Sequence, residues 1–355
     1  VIPLSQWGAH EAMWWGSSRR GTSPEHRQLR NFFPLPARKH PMKKHVLIAL
    51  ALIALGYQLP DIVSTETVAA AAANRVVCDA NKKVATDLVA TRCGSGIPAT
   101  RKEGGAASGV SDVDKVYDAF GATSALYARL GYDLTSEIGV DRGDGKALRG
   151  TVRLCLSRCP WGNAFWSPSD NQMYFGEGLT TLDVTAHELT HGVTGKISKL
   201  GTDFEAAAIN ESLSDIFGEF TDLATNPDKP AAKRWKMGED LAGGAFRDMS
   251  NPESLKHPGT YKGPNWSATD SHADAGVGNK LAFLTTEGGS YNGQTVTGLG
   301  FDKALRLWWK VQNTLTAKAN YAELGRAINS SCTALAFTST ECADVAKAVK
   351  AVKIS

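Results

Sequence analysis

The chain lacks a charge imbalance. Its 39 Lys and Arg oppose 36 Asp and Glu, leaving +3 over 355 residues. That excludes a protein that grips nucleic acid by bulk electrostatics, since such proteins carry a dense basic face. It also lacks an apolar run of membrane length. Val46 to Leu55 is almost purely apolar, but it falls well short of the ~20 residues that span a bilayer, so no stable membrane anchor is expected. There is no internal repeat, which excludes solenoids and propellers. Cysteine is sparse, at six. Cys155-x-x-x-Cys159 has no His/Cys partner cluster nearby, which argues against a cysteine-built zinc site. The six fall into near neighbours: Cys78/Cys93, Cys155/Cys159 and Cys332/Cys342. About 15 pairings are possible for six cysteines. Local pairing is the expectation and would imply an oxidising compartment.

What is present begins with an export pattern. Lys43-Lys44, the apolar run and small residues near Gly56 or at Ala69–Ala73 read as a signal peptide with a short following segment, 42–73, which predicts secretion. Residues 1–41 are rich in Arg, Trp and Pro without a sustained period, and read as an unstructured upstream extension. From Asn74 the chain is long enough for two lobes around a cleft. The first, 74–203, is Gly- and Thr-rich with short β-prone runs (Arg75 to Cys78, Leu148 to Leu156) and one amphipathic helix, Val113 to Leu130. Leu182 to Gly195 reads as a central helix. The second lobe, 204–355, is mainly helical: Ala206–Ala224, Asn279–Thr286, Asp302–Thr316, Tyr321–Thr333 and Cys342–Val352. Leu305, Trp308 and Trp309 read as core. The fold class is α+β.

The central helix carries the chemistry. His187-Glu188-Leu189-Thr190-His191 puts two imidazoles on one helical face, spaced to share one zinc ion. Glu188 sits beside that row, where a base acting on a zinc-bound water belongs. A catalytic zinc takes three protein ligands and keeps one position open. Glu211, 20 residues beyond His191, is the natural third ligand from a second helix. A metal-bound His donates its other N–H to a carboxylate or carbonyl. Asp215 is placed to hold His187, and Asn210 to support His191.

These two segments resemble the thermolysin-like zinc metalloendopeptidases, and the resemblance runs from about Asn74 to the C-terminus. Other segments match in order. Asn163-Ala164-Phe165-Trp166 resembles the family's substrate-binding edge strand. Arg247 falls where the family has its substrate-carbonyl arginine, and His272 where it has its transition-state histidine; Asp270 is the candidate to orient that imidazole. The resemblance implies a two-lobed zincin that cuts proteins and peptides before bulky apolar residues, with Val184 and Phe246 as pocket walls and no oligomer required. It also implies one structural calcium ion held by Asp183, Glu219, Asp222 and Asp228, with Lys236 standing where two-calcium members place an acid.

The chain departs from the pattern in places. Thr202 stands where the family usually has an oxyanion-binding Tyr. The stretch from Trp166 to His187 is short. Only Tyr57 to Ala73 separates the export signal from the catalytic region, where many members carry a folded propeptide. Two other readings therefore stand beside the endopeptidase: a zinc-binding homologue acting in adhesion or binding, and a secreted zinc hydrolase of a non-peptide substrate. Glu188 argues against the first, because a structural zinc needs no base. The Asn163–Trp166 strand argues against the second, because it suits an extended peptide.

Overall fold

The computed structural model describes residues 73–355. The upstream extension, and all of the export segment but its last residue, lie outside them.

The N-terminal part is β-rich. Strands β1 (Arg75–Asp79), β2 (Val84–Ala85) and β3 (Arg101–Lys102) precede helices α1 (Ser111–Ala128) and α2 (Leu134–Ile138). Then come β4 (Val140–Asp141), β5 (Lys146–Val152), β6 (Cys155–Leu156), β7 (Ala164–Ser167) and β8 (Gln172–Phe175). The main sheet runs β3-β1-β5-β8-β7, with β4 also paired to β5. β5 lies parallel to both β1 and β8, and β7 closes the order antiparallel to β8. β5 is buried from Ala147 onward because α1 covers one face. Gly150 lets α1 pack closely there: a Cβ would come 3.1 Å from the Phe120 ring of α1.

Two long helices follow, α3 (Leu182–Lys196) and α4 (Phe204–Thr225), and they pack along their lengths. The remainder is mainly helical. It holds the small pairings β9 (Lys236–Met237) with β10 (Arg247–Asp248) and β11 (Gly288–Tyr291) with β12 (Gln294–Thr297). Its helices are α5 (Ser271–Asp274), α6 (Gly276–Thr286), α7 (Phe301–Gln312), α8 (Tyr321–Ala334) and α9 (Ser339–Ala351). One apolar core runs from Val77 to Ile354 through α3 and α4. Burial of that area is the main force holding the helical half together.

The expected helices form, with shifted ends. α7 stops at Gln312 rather than Thr316, because the Asn313 side chain donates to the Trp309 carbonyl and competes with a further turn. α9 starts three residues early, on a capping box between Thr338 and Glu341. Leu305 and Trp308 are fully buried as core, and Trp309 packs edge-on against Tyr127 and Tyr132. All three local disulfides are present: Cys78–Cys93, Cys155–Cys159 and Cys332–Cys342. Among the described residues no helix is long and apolar enough to cross a membrane.

Candidate metal centre and cleft

α3 and α4 build the centre between them. The i, i+4 spacing brings His187 and His191 together, ring centroids 4.7 Å apart, with Nε2 atoms 3.0 Å from each other. Glu211 of α4 faces both, its carboxylate 3.4 Å from His187 Nε2 and 3.6 Å from His191 Nε2. The ligand atoms of these three residues lie within 4.8 Å of one another.

The other ring nitrogens are held. His187 Nδ1 lies 2.8 Å from Asp215 Oδ1. His191 Nδ1 lies 3.1 Å from Asn210 Oδ1 and 3.1 Å from Ser214 Oγ. A carboxylate or amide oxygen on Nδ1 fixes its proton there and leaves the Nε2 lone pair for a metal. Glu211 Oε2 is buried without a hydrogen-bond partner. Two imidazoles whose Nε2 atoms face one carboxylate, with that carboxylate's Oε2 otherwise unsatisfied, fit a zinc ion.

Asp215 anchors more than His187. Arg247 grips both of its oxygens, with Nε 2.5 Å from Oδ2, and Asn279 Nδ2 donates to Oδ2 at 2.7 Å. Burial works against ionisation of Asp215, but the Arg247 charge and the His187 hydrogen bond hold its pKa down at about 2. Asn279 reaches it because α6 approaches α4 closely at Gly278, where a Cβ would fall 2.3 Å from Ser212 Oγ. The Arg247 pairing differs from the neighbours its sequence position offers, Asp248 and Glu239. Adjacent residues of a strand point to opposite faces. Asp248 instead accepts from the Ser250 and Asn251 backbone amides and faces Lys236 at 3.8 Å.

Glu188 is buried, and its Oε2 accepts from the Trp166 backbone N–H at 2.9 Å. Burial pushes its pKa up to about 7; nearby His187 opposes and Glu211 adds to the rise. Trp166 lies close over α3 because position 192 is Gly: a Cβ there would meet the indole at 2.9 Å. Ala164 opens β7, the last strand of the sheet order, and pairs with Phe175; Asn163 just before it accepts from the Gly176 amide through its carbonyl.

His272 Nε2 is 3.5 Å from Glu211 Oε1, at the rim of the same cluster. Asp270 does not hydrogen-bond its ring: Nδ1 stands 3.9 Å away. Asp270 caps α5 instead, accepting from the His272 and Ala273 amides at 3.1 Å each, so it sets the backbone that presents the imidazole. Thr202 is exposed in the link between α3 and α4.

Comparison with known proteins agrees with this geometry. Residues 73–195 match the family model described as thermolysin metallopeptidase, catalytic domain, and residues 198–354 match thermolysin metallopeptidase, alpha-helical domain. The chain belongs to the thermolysin metallopeptidase family. Within that family it is 46% identical to a zinc metalloproteinase of Renibacterium salmoninarum, over 79% of this chain and 57% of that protein. It is 33% identical to a thermolysin of Alicyclobacillus acidocaldarius, over 67% of this chain and 46% of that protein. The chain thus spans about half the length of these relatives. Among solved structures of the family, the precursor of protealysin, a metalloproteinase from Serratia proteamaculans, has the same fold. Its TM-score is 0.61 at 24% identity, covering 80% of this chain and 88% of that one.

The acids expected to hold calcium are arranged differently from the implied set. Asp183, Glu219 and Asp222 do come together, buried, between α3 and α4. The fourth carboxylate is Glu239, while Asp228 is exposed on the loop after α4. A cation already sits among them. Lys229 Nζ lies 2.5 Å from Asp222 Oδ2 and contacts Glu239 Oε1. Calcium takes six to eight oxygens at about 2.3–2.6 Å. With Asp222 and Glu239 bound to an ammonium, this donor set does not fit it. Nothing in the sequence spacing marks Lys229 or Glu239 as part of either cluster, whereas Ser214, four residues after Asn210, shares its helical face. Asn279 reads in the sequence only as the start of a helix.

Proposed function

We propose that this chain is an exported, zinc-dependent neutral endopeptidase that hydrolyses internal peptide bonds, preferring a bulky apolar residue after the cleaved bond. The observation that carries the reading is the position of Glu188. It borders the His187–His191–Glu211 cluster and accepts a hydrogen bond from the strand expected to hold substrate. A binding protein has no use for a buried carboxylate between those two features.

A zinc ion on His187, His191 and Glu211 would supply a Lewis acid and a nucleophilic water at neutral pH. Glu188 takes the proton released as the peptide carbonyl is attacked, and delivers it to the leaving amine. The Asn163 side chain and Ala164 backbone hold the substrate as an added antiparallel strand on the sheet edge, which fixes position while reading little sequence. His272 faces the developing oxyanion, and Arg247, steadied by Asp215, holds a substrate carbonyl beyond the scissile bond. Asp215 and Asn210 orient the two histidines. The working unit is a monomer with lobes 74–203 and 204–355 and the zinc helix at the cleft floor.

The test is hydrolysis of an internally quenched peptide with Leu or Phe after the cleavage point, comparing the chain with Glu188→Ala and with chelator-treated protein. Cleavage lost in both, with zinc retained by the variant, supports the reading. A folded, zinc-loaded chain that cuts no peptide overturns it in favour of a binding homologue or a hydrolase of another substrate. Thr202→Tyr would then be the next variant.

A further inference from the structure

The pocket of Asp183, Glu219, Asp222 and Glu239 crowds four carboxylates into a space closed from solvent. Asp183, Glu219 and Asp222 are 2%, 0% and 2% exposed. Buried like charges cannot all persist without a counter-ion. The loop after α4 supplies one. Asn226 closes the helix, its side chain donating to Asp222 Oδ1 at 2.8 Å, and a turn bonds Lys229 N to Asn226 O at 3.0 Å. That turn folds Lys229 back under the last turn of α4, where a cation also suits the helix dipole. Its side chain is 6% exposed, against 50% for Lys233 further along the same loop.

We propose that the Lys229 ammonium occupies the role of a calcium ion in this pocket, so that this chain keeps its α3–α4 seam and the following loop in place without calcium. The remaining oxygens agree. Asp183 Oδ2 accepts from the Gly238 amide, and Glu219 Oε1 accepts from the Trp235 amide at 2.5 Å. These contacts tie β9 and its flanks to the helices directly, the task a bridging metal would otherwise perform. Burial also resists charge on the remaining acids. Burial, then the charge of Asp183, pushes Glu239 up to about 7, and burial with the neighbouring carboxylates pushes Glu219 well above its ordinary range. Lys229 brings one positive charge into the pocket, and the raised pKa values of Glu219 and Glu239 lessen the negative charge it must offset.

The test uses the full chain loaded with zinc and dialysed into calcium-free buffer. Elemental analysis counts bound metals, and calorimetry reads Tm in millimolar CaCl2 against MgCl2. The expected result is zinc without calcium, and the same Tm in both salts. Lys229→Ala should lower Tm by about 10 °C and regain part of that loss in calcium but not magnesium. Lys229→Arg should stay calcium-independent. Stoichiometric calcium in the unaltered chain, or a calcium-specific rise in its Tm, would overturn the proposal. So would a Lys229→Ala protein as stable as the parent. Should the Ala variant not fold, the measurements on the unaltered chain decide alone.

Discussion

One helix pair carries two cation-seeking clusters, and they solve the same problem in opposite ways. On α3, Asp183, His187 and His191 follow one another at four-residue steps; on α4, Glu211, Asp215 and Glu219 do the same. Antiparallel packing sets His191 against Glu211 at one end and Asp183 near Glu219 at the other. The helices can close because position 218 is Gly, where a Cβ would meet the Asp183 carbonyl at 2.9 Å. At the first end the ring nitrogens are pinned from behind and their lone pairs converge, so an external metal is wanted. At the second end the seam is all carboxylate, and the chain delivers its own ammonium. Neutral nitrogen donors gather a metal that can do chemistry; an internal lysine gives a fixed charge that can only hold structure.

The largest effect should come from removing the base while keeping the metal cluster. Glu188→Gln is expected to cut turnover by about 10²–10⁴-fold with zinc content unchanged; near-parental rates would show that the cluster end of the seam does its chemistry without this carboxylate. Next comes Asp215→Asn. It removes the charge facing buried Arg247, which should cost about 3–5 kcal/mol of stability, and loosens His187, lowering zinc affinity by about 10–100-fold. The pH dependence follows from sign. The folded pKa of Asp215 lies near 2, below its ordinary 3.8, so its contribution is full above 3.8 and fades as pH falls toward 2. The gap in Tm between parent and variant should therefore narrow over that range. A constant gap would assign the stability to packing rather than to charge.

Much of the first cluster was legible because it is local in sequence. His187, Glu188 and His191 sit within one and a half turns, and Asn210, Glu211 and Asp215 within another. Helical period then decides which side chains share a face. The second cluster was only half legible. Its α3 and α4 acids follow the same period, but Asp228 is implied as the fourth partner and lies exposed, and nothing local says that Lys229 beside it folds inward. Arg247 meets Asp215 across 32 residues of chain, a pairing that no local spacing shows. β8 escaped notice because Gln172–Phe175 is buried on both faces and shows no alternation. The β11–β12 hairpin does carry a signal, Asn292-Gly293 at its turn, but its strands are short and polar and give no apolar alternation to flank it.

A smaller effect tests the acidic end. Glu219 has its folded pKa raised by burial and by Asp222, Glu239 and Asp183. A carboxyl whose pKa rises on folding costs stability as pH climbs above its unfolded value. Glu219→Gln keeps the oxygen that accepts from Trp235 and deletes the charge. It should raise Tm at pH 8 by a few degrees, about 2–4 °C per kcal/mol gained, and by less at pH 5. A lower Tm at pH 8 would mean that the pocket needs the ionised form, as a divalent site would.

The smallest expected effect separates the two histidines within the first cluster. His187 Nδ1 has one carboxylate partner, whereas His191 Nδ1 has two neutral acceptors at the same 3.1 Å, Asn210 and Ser214. Removing either leaves the other, so no buried N–H is orphaned, and the large penalty attached to unsatisfied donors does not arise. Asn210→Ala and Ser214→Ala should each weaken zinc binding by less than about 10-fold, below the loss for Asp215→Asn. The double variant orphans the nitrogen and should lose more than the product of the two singles, a coupling that a zinc-competition titration can read. Strict additivity would mean that one of the two contacts does not orient the ring, and the single variant with the larger loss would identify the one that does.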